Sequence, residues 1–130
     1  MGDMNFVPSV LVVDDFKTMR RIIRSQLEEI GFRDIEDAAD GEAALQVLNR
    51  RDIHLIISDW NMQPMTGLEF LREVRLDDRY KNVPFIMVTA ESKVENVRMA
   101  REAGVTNYVV KPFTAQTLQQ KIAASFAAVA

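Results

Sequence analysis

The sequence predicts an α/β fold, a doubly wound sheet of five parallel strands, and three observations carry that expectation. Apolar runs of three or four residues recur at 10–13, 55–57, 85–88 and 108–110, as expected of strands covered on both faces. Between them lie segments with apolar residues three or four apart, the spacing of helices that could serve as right-handed crossovers. Each run then gives way to polar or charged residues: Asp14-Asp15, Ser58-Asp59, Thr89 and Lys111.

The elements follow in order. Val10, Leu11, Val12 and Val13 form the first strand. The helix after it carries Phe16, Met19 or Arg20, Ile23, Leu27 and Ile30 on its inner stripe, with Gly31 placed as the C′ residue. Residues 35–39 make a second, more polar strand suited to a sheet edge. Asp40-Gly41 turns the chain into a helix with Ala44, Leu45 and Leu48 inward. The third strand, 55–58, delivers Asp59 to the lip of the core, and a loop with Pro64 leads to a helix headed by a Thr66/Glu69 capping box. Leu68, Leu71 and Val74 are its expected buried stripe. Pro84 opens the fourth strand, ending at Thr89, and a Ser92/Glu95 capping box heads a helix with Val94, Val97, Ala100 and Ala103 inward and Gly104 closing it. The fifth strand, 108–110, ends at Lys111-Pro112. Thr114 then caps a final helix whose Leu118, Ile122 and Phe126 share a face.

A chain of 130 residues, 48% hydrophobic, is enough for one domain with its own core, so residues 1–130 are expected to be a single domain with no output domain. Net charge of −3 argues against nucleic-acid binding. Without cysteine there is no disulfide framework, thiol chemistry or Cys-built zinc site. His54, the one histidine, makes no ligand cluster by itself and reads as structural or solvent-facing. The N-terminus lacks the basic and apolar regions of a signal peptide, and Phe6 stands where a myristoylation motif needs Ser or Thr. No apolar run approaches the length of a membrane span. The expectation is a cytoplasmic monomer without membrane contact.

Five alternating strands and helices fit the flavodoxin-like order 2-1-3-4-5, whose switch point lies between strands one and three. Asp14, Asp15 and Asp59 should meet there, with Thr89 and Lys111 along the same rim. Carboxylates about 4 Å apart repel by roughly 4 kcal/mol per pair at an effective dielectric near 20. Lys111 or a divalent cation must offset that, and an oxygen-only site suits Mg²⁺.

The pair Asp14-Asp15, the Asp of ISDWNM, Thr89 in VTAE and Lys111-Pro112 in YVVKPFT together resemble the receiver domains of two-component response regulators. The opening VVDDFKTMRRI is similar to that of the free-standing chemotaxis members, and the resemblance covers essentially the whole chain. It implies that Asp59 is the phosphoacceptor, taking a phosphoryl group from a histidine kinase. It implies Mg²⁺ ligated by Asp15, Asp59 and the backbone carbonyl of Asn61, with Asp14 holding it through water. Lys111 would neutralise the phosphoryl oxygens, Thr89 would bond one of them, and Lys111-Pro112 would be cis. Tyr108 would move inward on activation and remodel a signalling face that includes Lys121. Trp60 and Met62 follow the acceptor, Trp60 over the rim, and Glu91 resembles an acid that gates water access. The implied function is phosphorylation-activated signalling in chemotaxis, with the flagellar motor switch as target and no enzymatic activity beyond the chain's own phosphorylation and slow dephosphorylation.

Some positions depart from the pattern. Gln63 stands where the loop has Pro, Pro64 follows it, Thr66 replaces an Asp, and Val94 replaces a lysine. Two alternatives stay open: a phosphate sink or relay shuttle that binds no motor, and a Mg²⁺-dependent phosphatase of the haloacid-dehalogenase type. The latter needs a second Asp two residues after the nucleophile, where this chain has Asn61.

Overall fold

Apolar runs that must hide both faces are satisfied by a parallel sheet between two helical layers, and the computed structural model, which describes residues 8–90 and 93–129, has that arrangement. Strands β1 (Ser9–Val13), β2 (Asp34–Ala38), β3 (Leu55–Asp59), β4 (Phe85–Thr89) and β5 (Asn107–Val110) alternate with helices α1 (Lys17–Ile30), α2 (Gly41–Arg50), α3 (Gly67–Leu76), α4 (Val94–Glu102) and α5 (Ala115–Val129). All strand pairs are parallel and the order is β2-β1-β3-β4-β5. The three inner strands are wholly buried, and the edge strands β2 and β5 are partly open to solvent.

Strand alternation divides the core in two. Leu11, Val13, Ile56, Phe85 and Met87 pack with Ala44 and Leu48 of α2 and with Phe70, Leu71 and Val74 of α3. Val10, Val12, Leu55, Ile57, Ile86 and Val88 face Ile23 and Leu27 of α1 and Leu118 and Ile122 of α5. The register sets up the site. Val13 pairs with Ser58, Asp59 with Val88 and Thr89 with Val110, so the chain leaves the sheet at neighbouring points along one edge.

Locally signalled features stand where the sequence puts them. Asp40 caps α2 through Ala43 N–H, Thr66 and Glu69 form the full capping box on α3, and the Thr114 hydroxyl accepts from Thr117 N–H at 3.1 Å. Gly31 ends α1 at φ 122° and Gly104 follows α4 at φ 93°, backbone angles that side chains disfavour.

Three side chains differ from expectation. Phe16 is 72% exposed, because its N–H bonds the Asp14 carboxylate and the helix begins after it at Lys17. In α3 the fully buried positions are Phe70, Leu71 and Val74, with Leu68 only half-buried; starting the helix at Gly67 turns Phe70 to the core. Val94 is 79% exposed as the first residue of α4, whose one buried residue is Ala100. Ser92 and Glu91 lie outside the described residues, and Lys93 occupies the N-cap of α4. Strand β2 is shifted one residue from the expected 35–39. Among the described residues no helix is long and apolar enough to cross a membrane.

Candidate functional site

The adjacent ends of β1 and β3 bring three acids together. Asp14, Asp15 and Asp59 each offer a carboxylate oxygen, and these oxygens lie within 4.8 Å of one another. Asp14 and Asp59 are buried, at 1% and 6% exposure, whereas Asp15 faces solvent. From the end of β5, Lys111 reaches across, its Nζ 3.0 Å from Asp59 Oδ1 and 3.8 Å from Asp14 Oδ2. Asp14 Oδ1 accepts from Phe16 N–H at 2.8 Å. Asp14 Oδ2 is buried with no hydrogen-bond partner.

Backbone contacts hold these side chains in place. Asp14 N–H donates to the Ala38 carbonyl at 3.1 Å, and Asp14 O accepts from Arg20 Nη1 at 2.7 Å. Lys111 N–H donates to Thr89 O at 2.8 Å, and Trp60 N–H to Val88 O at 2.9 Å. The peptide Lys111-Pro112 is cis, as the resemblance implies, and so is Gln63-Pro64. Gly67 N–H donates to Trp60 O at 2.8 Å, and a Cβ on Gly67 would lie 2.1 Å from the Asp59 carbonyl oxygen. Only glycine lets the start of α3 come this close to the end of β3.

Electrostatics leave the pocket short of positive charge. Burial pushes the Asp59 carboxyl up from the usual aspartate range; the bond to Lys111 opposes this and the charge of Asp15 adds to it. Burial raises Asp14 as well, opposed by the Phe16 amide and reinforced by Asp59. The donor set is all oxygen, burial makes two of its members weaker acids than an ordinary aspartate, and one buried oxygen is without a hydrogen-bond partner. Those three properties fit a hard divalent cation such as Mg²⁺.

The other predicted residues line one path away from the pocket. Thr89 is buried at the end of β4 and, with Trp60, Asn61, Ala90 and Asn96, borders a cleft of about 280 Å³. Asn61 is exposed in the loop that follows β3. Thr89 also lines a small pocket together with Trp60, Met87, Ala100 and Tyr108. Tyr108 is half-buried, with Lys121 Nζ 5.2 Å from its ring centre. Met62 is buried in the core beside α2 and α3. His54 is structural: its Nδ1 accepts from Ser9 N–H at 2.9 Å, at the amino end of the sheet.

Sequence patterning passed over two participants. Gly67 carries no periodic signal, and its one cue was its place directly after the cap Thr66. Arg20 shares with Met19 a position on the apolar stripe of α1, and that charged interruption was the available sign.

Residues 10–123 match the response regulator receiver domain family. A Pseudomonas aeruginosa relative, "Chemotaxis protein CheY", is 50% identical over 113 residues, covering 87% of this chain and 91% of that protein. "Chemotaxis protein CheY-3" of Vibrio cholerae is 45% identical over 113 residues, 87% of each chain. Among solved structures, the Vibrio cholerae chemotaxis response regulator CheY4 superposes with a TM-score of 0.86 at 36% identity, covering 92% of this chain and 99% of its own.

Proposed function

The chain belongs to the response regulator receiver domain family, as a CheY-like member, and from that membership we propose that it is a cytoplasmic signalling module switched by phosphorylation of Asp59. The phosphoryl group leaves a kinase phosphohistidine as its N–P bond breaks, and a new O–P bond forms to the Asp59 carboxylate. The observation that carries this reading is the contact of Asp59 with Lys111 at 3.0 Å inside an acid cluster that retains an unsatisfied buried oxygen on Asp14. Transfer of this kind depends on positioning and charge neutralisation. Lys111 supplies one cation at the acceptor. Asp14, Asp15, Asp59 and the backbone carbonyl of Asn61 are the groups that would hold Mg²⁺, which when bound neutralises charge on phosphoryl oxygens. The chain's own chemistry ends with this transfer and the slow hydrolysis of the acyl phosphate, in which water takes the phosphoryl group as inorganic phosphate and Asp59 is restored.

Output follows the line of residues behind Thr89. A phosphoryl group at the rim adds strong acceptors, and the Thr89 hydroxyl turns toward one of them. Tyr108 and Thr89 line the same small pocket beside Met87, so Thr89 turning toward the phosphoryl group opens space into which Tyr108 moves. That movement takes the ring from under Lys121 and changes the surface of α4, β5 and α5. The target of that surface is the flagellar motor switch, in line with the chemotaxis names of the relatives. The test is capture of flagellar switch fragments by this protein with and without beryllofluoride and Mg²⁺. Stronger capture by the activated protein, lost in Asp59→Asn, is expected. Equal capture in both states would contradict the motor role and favour a phosphate sink.

A further inference from the structure

We propose that Arg20 is a positioning residue for the acidic pocket, clamping the end of β1 so that Asp14 and Asp15 converge on a divalent cation; this rests on reading the pocket as a cation site. The last β1–β2 ladder pair is Val13 with Ala38. One residue later, Asp14 N–H still reaches the Ala38 carbonyl, but at Asp40 the chain turns away into α2, leaving the Asp14 carbonyl without a strand to pair with. Arg20 takes that place from the first turn of α1. Its Nη1 donates to Asp14 O at 2.7 Å and its Nε to Asp37 Oδ2 at 3.1 Å. The Arg20 side chain is only 16% exposed, so one guanidinium ties together the ends of β1 and β2 and the start of α1.

The clamp acts on the peptide that joins the two acids. Fixing the Asp14 carbonyl fixes the plane of the 14–15 peptide, and with it the directions in which both carboxylates leave the chain. Asp14 Oδ2 lies in the pocket, buried without a hydrogen-bond partner and with Lys111 Nζ 3.8 Å away, and it is this oxygen whose direction the clamp would fix. A planar fork can donate in two directions at fixed spacing, which a lysine ammonium on a flexible stem does not reproduce.

Charge and position make opposite predictions. A guanidinium beside a cation site repels the cation, so if charge were its whole effect, removing it would tighten Mg²⁺ binding. If positioning dominates, removal weakens binding, by analogy with outer-shell partners of metal ligands whose loss costs about 10- to 100-fold in affinity. The experiment is Mg²⁺ titration of wild type, Arg20→Gln and Arg20→Lys, followed by calorimetry and by Trp60 fluorescence well below each protein's melting temperature. The expected result is affinity at least about tenfold weaker in Arg20→Gln and several-fold weaker in Arg20→Lys. In acetyl phosphate labelling, the Mg²⁺ concentration for half-maximal rate should rise, with the rate at saturating Mg²⁺ little changed. Unchanged or tighter Mg²⁺ binding in Arg20→Gln overturns the proposal. Should that variant fail to fold, wild-type affinity in Arg20→Lys overturns it equally. A wild type that takes up no Mg²⁺ overturns the reading of the pocket as a cation site, and this inference with it.

Discussion

Asp14 and Asp59 are held where water would serve them better, and this has a measurable sign. Both carboxyls are raised in the folded protein, chiefly by burial. Their contribution to stability is therefore complete below the unfolded aspartate pKa, near 3.9, and is lost as pH rises through the raised folded values. Without metal, Asp14→Asn or Asp59→Asn is expected to stabilise the protein at neutral pH by on the order of 1 kcal/mol, with the gain shrinking toward acid pH. Urea unfolding at two pH values measures it. Mg²⁺ should stabilise wild type through the same groups, by about 2.7 kcal/mol at a hundredfold excess over its dissociation constant. Lys111→Arg keeps the charge but replaces a compact ammonium with a fork; it is expected to accept phosphate yet bind the switch poorly, read by labelling and capture on the same sample. Gly67→Ala places a methyl 2.1 Å from the Asp59 carbonyl oxygen, and is expected to cost about 3 kcal/mol and weaken Mg²⁺ binding, both seen in one thermal titration.

At the scale of elements, what the sequence disclosed depended on how local the signal was. Caps are decided within four residues, so Thr66 and Thr114 could be read directly and are found in place. Thr66→Ala breaks both arms of the α3 capping box and should cost about 1 kcal/mol in urea unfolding. Helix phase is less local. Phe16, Leu68 and Val94 were assigned inward from spacing alone, but which residue opens a helix decides which face turns in, and that is fixed by tertiary contacts. The Asp14 carboxylate takes the Phe16 amide, and Gly67 seats α3 against Trp60. Val94, 79% exposed, joins the outer surface of α4 as an apolar side chain.

Across the whole molecule, the pocket was legible because parallel strands covered on both faces must end at one edge, and each apolar run ended in a residue with chemistry. Register then placed Asp14, Asp59 and Lys111 together. What did not show in the sequence were contacts between elements that no repeat connects: Arg20 reaching Asp14 O, and Gln26 Nε2 donating to Phe113 O at 3.0 Å. The two ends of the sheet also respond to pH in opposite senses. At the amino end, hydrogen bonds from Arg51 and Ser9 hold the Asp34 carboxyl below its ordinary range, so its contribution is present above the unfolded pKa and lost as pH falls through the folded one. At the carboxyl end the signs reverse, as an assembled but uncompensated acid site requires. The most direct measurement of the central claim is intact-mass and peptide mapping after incubation with acetyl phosphate, with and without Mg²⁺. The account predicts one phosphoryl group, carried on Asp59, dependent on Mg²⁺ and absent from Asp59→Asn. Full labelling of that variant, or labelling indifferent to the metal, would contradict it.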